Sequence, residues 1–175
     1  VIVDLTQGTA LAWFKQTTRA ASQVILGYGG GDVTAPGCYT ALEIRDTASN
    51  YYLVNLVDET PSTIDFQGIR NSTAIALNTW YLGAISSDGS TWKVYLNGAE
   101  EIATIWIGTL NTGDFFGDVA DANIPNPRLD IGSLYYDGTQ GSYFIGSIGE
   151  IWVYSRVLTA AEIQNIYLST RWRYQ

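Results

Sequence analysis

The run from Trp80 to Gly98, WYLGAISSDGSTWKVYLNG, decides the fold class of this chain. Two short segments rich in aromatic and branched residues flank Ser86-Ser87-Asp88-Gly89-Ser90. That is the pattern of an antiparallel hairpin: strand, Asp-Gly turn, strand. In the second segment Trp92, Val94 and Leu96 point to one face and Lys93, Tyr95 and Asn97 to the other. Asn97-Gly98 then turns the chain again, since both residues tolerate positive φ. The first segment is apolar on both faces, with Trp80, Leu82 and Ala84 against Tyr81, Gly83 and Ile85. It is therefore expected to be a central strand covered on both sides.

The same patterning extends in both directions. Upstream, Thr9 to Phe14, Val24 to Tyr28, Tyr39 to Arg45 and Tyr51 to Val57 alternate or run apolar as strands do, the last two forming a hairpin. Ile64 to Ile75 is less regular, with room for one or two short strands. Gly29-Gly30-Gly31-Asp32 lacks the following helix that a phosphate-binding loop needs, so it is expected to be a turn. Downstream, Glu101 to Ile107, Leu129 to Leu134 and Tyr143 to Tyr154 are further strands, and Gly108 to Pro127 is the longest irregular stretch. One helix is predicted. Thr159-Ala160-Ala161-Glu162 fits a capping box, and Ile163, Ile166 and Tyr167 follow on one face at helical spacing. The reading is all-β, with one short helix after the final strand.

The 175 residues are 46% hydrophobic and 15% charged, enough for one domain with its own core. Six Trp and twelve Tyr suit a sandwich and also a sugar-binding surface. A net charge of −8 repels phosphate backbones and anionic lipid, which argues against nucleic acid and membrane surfaces as partners. No apolar run approaches the length that spans a bilayer. No signal peptide is visible, and a start at Val1 rather than Met is expected to reflect processing or trimming. Cys38 is the only cysteine, so no internal disulfide forms and a buried thiol is expected. The absence of His removes Ser-His-Asp triads and most zinc sites.

Several stretches, in order, resemble the laminin G-like, concanavalin A-like lectin/glucanase jelly-roll domains. They are Thr9 to Phe14, Trp80 with Val94-Tyr95-Leu96-Asn97-Gly98, Leu129-Asp130-Ile131-Gly132, and the closing segment Phe144 to Thr159 with Glu162-Ile163. The resemblance implies a two-sheet antiparallel β-sandwich over residues 1–175, with 169–175 as a tail. There are two departures. Gly149 stands where an acidic residue usually precedes Glu150, and Val1 to Leu5 barely represent the first strand.

Candidate sites follow from chemistry and from the resemblance. A glycosidase on this fold needs clustered carboxylates on alternating strand positions. Glu150 instead has Ile148 and Trp152 as its alternating neighbours, so a structural carboxylate is the better reading and no catalytic residue is assigned. Many members of the resembled family bind calcium, and Asp114, Asp118, Asp121, Asn123, Asn126 and Asp130 offer oxygen ligands for Ca2+. The competing reading is a solvated acidic loop built on Asx turns. Exposed aromatics stack on sugar rings, and Trp106, Tyr135, Tyr136 and Tyr143 are the candidates, against core packing. Arg171, Trp172, Arg173 and Tyr174 form a basic, aromatic tail suited to docking on a neighbouring subunit in a homo-oligomer, against a frayed end. The expected function is a non-catalytic recognition module, extracellular or on a cell or virion surface, with a glycan or a protein as partner. The alternative is a structural or decoration protein of a virus particle or surface assembly, and the third reading is a glycoside hydrolase.

Overall fold

The computed structural model describes residues 4–31, 38–47, 50–58, 66–119 and 124–175. Two antiparallel sheets face each other. One runs β13 (Gly146–Tyr154), β1 (Gly8–Gln16), β6 (Tyr81–Ser87), β7 (Trp92–Leu96), β8 (Ala99–Glu101). The other runs β10 (Arg128–Ile131), β2 (Ser22–Gly29), β3 (Tyr39–Thr47), β4 (Asn50–Asp58), β5 (Phe66–Arg70), β9 (Thr104–Ile107). A small ribbon of β11 (Leu134–Tyr136) and β12 (Thr139–Gly141) packs against β2. The two-sheet sandwich implied by the resemblance is the fold observed.

The organising hairpin behaves as its pattern requires. Trp92, Val94 and Leu96 enter the core between the sheets, while Tyr95 joins Leu11, Trp13, Leu82 and Ala84 in a second cluster on the outer face of the five-stranded sheet. Strand β6 is central and covered on both sides. Asn97 and Gly98 take φ of 51° and 81°, the left-handed pair that a two-residue hairpin turn needs. The outer cluster is closed by α2 (Ala160–Thr170), where Ile163 is buried, and by the buried Leu158 just before its cap. The capping box is formed as expected. The Glu162 N–H donates to the Thr159 hydroxyl, and the Thr159 N–H donates to the Glu162 carboxylate at 2.8 Å. Cys38 is buried in the main core.

Several expected elements are corrected. The run Glu101 to Ile107 is not one strand. β8 ends at Glu101, the chain crosses at Ile102-Ala103, and β9 joins the opposite sheet. Leu129 to Leu134 is likewise broken, at Gly132 with φ 76°. The final strand begins at Gly146 rather than Tyr143, whereas Ile64 to Ile75, with room for one or two short strands, holds one among its described residues, β5. The irregular stretch after Gly108 plugs one end of the sandwich. Phe115, Phe116, Val119 and Ile124 insert into the core, and the Trp92 indole donates to the Asp114 carbonyl at 2.6 Å. The short helix α1 (Phe116–Val119) lies within it.

The departure at Gly149 has a structural reason. Ala12 pairs with Ile151 and Phe14 with Ile148, so Gly149 and Glu150 together face Trp13 in a β-bulge. The Tyr174 hydroxyl accepts the Glu150 N–H at 3.0 Å. A Cβ at position 149 would stand 2.6 Å from the Tyr174 ring. Any side chain there, the family's usual acid included, would displace the C-terminal tyrosine.

Candidate functional site

The outer face of the six-stranded sheet is built differently from that of the five-stranded one. Strand register sets its outward residues in rows. Arg128, Gly29, Tyr39, Asp58 and Phe66 form the first. Gly27, Ala41, Leu56, Gly68 and Ile107 form the second. Val24, Glu43, Val54, Arg70 and Thr104 form the third, and Ser22, Arg45 and Tyr52 the fourth. The floor is apolar, with Ala41, Val54 and Leu56 buried. Aromatic side chains stand on it: Tyr39 lies 4.9 Å from Tyr136 and 6.1 Å from Phe66.

Trp106 reaches this face through a register shift. Gly68 pairs with Ile107 and Ile69 with Ile105, which leaves Trp106 as the extra residue of a bulge on β9. Bulges re-aim side chains, and both Trp106 and Ile107 pack onto the outer cluster. At this end the face becomes charged. Glu43 is buried, 2% exposed, and accepts from the Ser22 hydroxyl at 2.6 Å. Its second oxygen lies 3.1 Å from Arg45 Nε, within ion-pair distance but outside hydrogen-bond alignment. Burial pushes the Glu43 carboxyl up, and Arg45 and Ser22 oppose the shift. Arg45 is 24% exposed, and its guanidinium lies 5.0 Å from the Trp106 ring centre. The remaining guanidinium N–H groups form a planar fork suited to a carboxylate. Beside it, Thr47, Arg70, Thr104, Ile105 and Trp106 line an open pocket. At the other end the Tyr136 hydroxyl donates to Asp58 at 3.1 Å, and burial, then that carboxylate, pushes the phenol up.

Of the aromatic candidates, Trp106 and Tyr136 therefore come to one face. Tyr135 lies beneath the guanidinium of Arg128, at the β10 edge of the sheet, 3.9 Å from its ring centre. Tyr143 is exposed, its hydroxyl donating to the Gln140 carbonyl at 3.3 Å. Glu43, Arg45, Tyr52 and Arg70 were not singled out from the sequence. The available signal was a charged pair at alternate positions of a strand whose other outward residues, Tyr39 and Ala41, are apolar.

The acidic loop is a different matter. Asp118 accepts the Phe115 N–H at 2.8 Å, and Asp130 accepts the Tyr135 N–H at 3.1 Å. Burial pushes Asp118 up, opposed by the Phe115 bond. Asp121 and Asn123 lie outside the described residues. Among the described residues no group of three acidic, His or Cys side chains gathers.

The tail folds back on its own sheet. Tyr174 stacks on Trp13 at 4.4 Å and packs against Trp80 at 4.8 Å. Arg173 pairs with Glu150, the carboxylate considered for hydrolysis, so that acid sits beneath the tail. Arg171 leans over the Tyr167 ring, and Trp172 is 67% exposed.

The family model of the concanavalin A-like lectin/glucanases superfamily, a laminin G type, matches residues 2–164, and the chain belongs to that family. Among solved structures, the CBM40 domain of the Ruminococcus gnavus IT-sialidase bound to α2,3-sialyllactose is similar. Its TM-score is 0.71 at 19% identity, over 95% of this chain and 85% of that one. A structure of the same domain with α2,6-sialyllactose gives a TM-score of 0.70 at 19% identity, with the same coverage. The leech intramolecular trans-sialidase gives 0.66 at 16% identity, over 94% of this chain but 23% of the enzyme. No curated protein sequence matches the chain. At these identities the structural likeness carries the fold.

Proposed function

We propose that this chain is a non-catalytic carbohydrate-binding module that holds an acidic, sialylated glycan on the outer face of its six-stranded sheet. The observation that carries the reading is Arg45. Its guanidinium is anchored by the buried Glu43, flanked by the Trp106 ring and open to solvent beside a pocket. A sugar presents an apolar ring face to an aromatic wall and, when acidic, a carboxylate to a guanidinium fork. The likeness to a domain seen with sialyllactose supports the same ligand class. Such a ligand fits a role outside the cell or on a surface. Among the described residues no helix is long and apolar enough to cross a membrane.

A glycan array tests this directly. The chain is expected to retain sialylated over neutral glycans, and Arg45→Gln to weaken that retention about tenfold or more in the molecules that stay folded, with a lower melting temperature because Glu43 loses its cationic partner. Binding that ignores the acid, or that survives Arg45→Gln intact, would overturn the assignment. A stable homo-oligomer blind to every sugar would restore the particle-protein alternative.

A further inference from the structure

We infer that Arg70 forms a second anion-binding position in the same groove, so that the preferred ligand is a glycan carrying two negative groups. This rests on the glycan reading above and extends it. Arg70 lies on β5, two strands from Arg45 on β3, a lateral separation of about 10 Å at the backbone. Tyr52 stands between them. It is the register partner of Arg45 on one side, and the Arg70 guanidinium lies 4.2 Å from its ring centre on the other.

The two arginines differ in their surroundings. Arg45 has the carboxylate of Glu43 beside it. Arg70 has no carboxylate within ion-pair reach among the described residues. Its Nη1 donates to the Asn71 carbonyl at 3.3 Å, and the residue lines the pocket together with Thr47, Thr104 and Trp106. Among the described residues Arg19 and Arg128 also lie over aromatic rings outside any ion pair, and Arg70 differs from them in lining the pocket beside Trp106. Trp106 is common to both positions, since its ring lies beside Arg45 and it lines the pocket that Arg70 also lines. A ligand stacked on Trp106 thus places one acidic group at Arg45 and a second, from a neighbouring sugar, at Arg70. The competing role for Arg70 is simply to cover Tyr52.

Titration calorimetry of the full chain with two probes separates these roles: 3′-sialyllactose, with one carboxylate, and α2,8-disialyllactose, with two. The disialyl probe is expected to bind about tenfold tighter, with a steeper loss of affinity as salt is raised. Arg70→Gln is expected to abolish that preference, the disialyl probe losing about tenfold more affinity than 3′-sialyllactose in the molecules that stay folded, and Arg70→Lys to retain part of it. Equal affinity for the two probes, an Arg70→Gln variant that keeps the preference, or one that weakens both probes alike would overturn the second position while leaving the glycan reading in place. If neither probe binds, the glycan reading falls and this inference with it.

Discussion

The two outer faces of this sandwich start from similar material and end differently. Each sheet carries large aromatic residues on its outward side. On the five-stranded sheet, Trp13, Trp80 and Tyr95 are covered by α2 and by Tyr174. On the six-stranded sheet, Trp106, Tyr136 and Tyr52 flank an apolar floor with Arg45 and Arg70 among them and an open pocket beside them. Among the described residues the chain returns to cover the first aromatic surface, and leaves the second, the proposed recognition surface, open beside the β11–β12 ribbon. The closed face is also satisfied polar group by polar group. The Trp13 indole donates to the Thr170 hydroxyl at 2.9 Å, that hydroxyl donates to the Ile166 carbonyl at 2.7 Å, and the bulged Glu150 N–H is capped by Tyr174. The open face keeps guanidinium donors in reserve.

Substitutions that break one face and not the other sharpen this contrast. Trp13→Ala empties the centre of the closed face and is expected to cost about 3–5 kcal/mol, lowering the melting temperature by about 10 °C, with sugar binding retained in the molecules that stay folded. Gly149→Asp restores the family's usual acid but drives a Cβ into the Tyr174 ring. It is expected to cost about 1–3 kcal/mol and to raise amide exchange across residues 171–175. Tyr174→Ala in the same chain should remove most of the additional penalty of Gly149→Asp, a coupling that a double-mutant cycle reads directly. Trp106→Ala, on the open face, is expected to cost only about 1–2 kcal/mol of stability yet to weaken glycan binding about tenfold or more.

The smallest effect concerns acid. The Arg156 hydrogen bond, then those of the Thr159 main chain and hydroxyl, hold the Glu162 carboxyl at about 2, well below its ordinary value. A carboxyl lowered in the folded state contributes stability above its unfolded value of about 4.3, and that contribution fades as pH falls toward 2. Glu162→Gln should therefore flatten the acid limb of the melting profile between about pH 5 and pH 2. It should leave the neutral-pH melting temperature only slightly lower, because the group is exposed.

Much of the fold was legible because it is local. The Asn97-Gly98 turn, the two-sided apolar pattern of β6 and the Thr159 capping box each depend on residues within a few positions of one another. What failed depends on partners far along the chain. The apolar run through Ile102 and Trp106 continues smoothly in sequence, so nothing marks the crossing from one sheet to the other or the bulge that turns Trp106 outward. The outward pair Glu43 and Arg45 looks like any solvated strand edge until Ser22 and Trp106 are seen to close around it. The tail reads as a free end because Tyr174 meets Trp13, a residue at the opposite end of the chain. Gly149 was visible as a departure, but its cause was the distant tyrosine.

Chemical-shift mapping of 3′-sialyllactose onto the isotopically labelled chain tests the central claim most directly, since it reads both faces at once. Saturable shifts should appear at the Trp106 indole and at the amides of Arg45 and Tyr52, with the Trp13 and Trp80 indoles unmoved. Shifts confined to α2, the C-terminal tail or the acidic loop after Gly108, or none at all at saturating sugar, would contradict the assignment of the six-stranded face as the recognition surface.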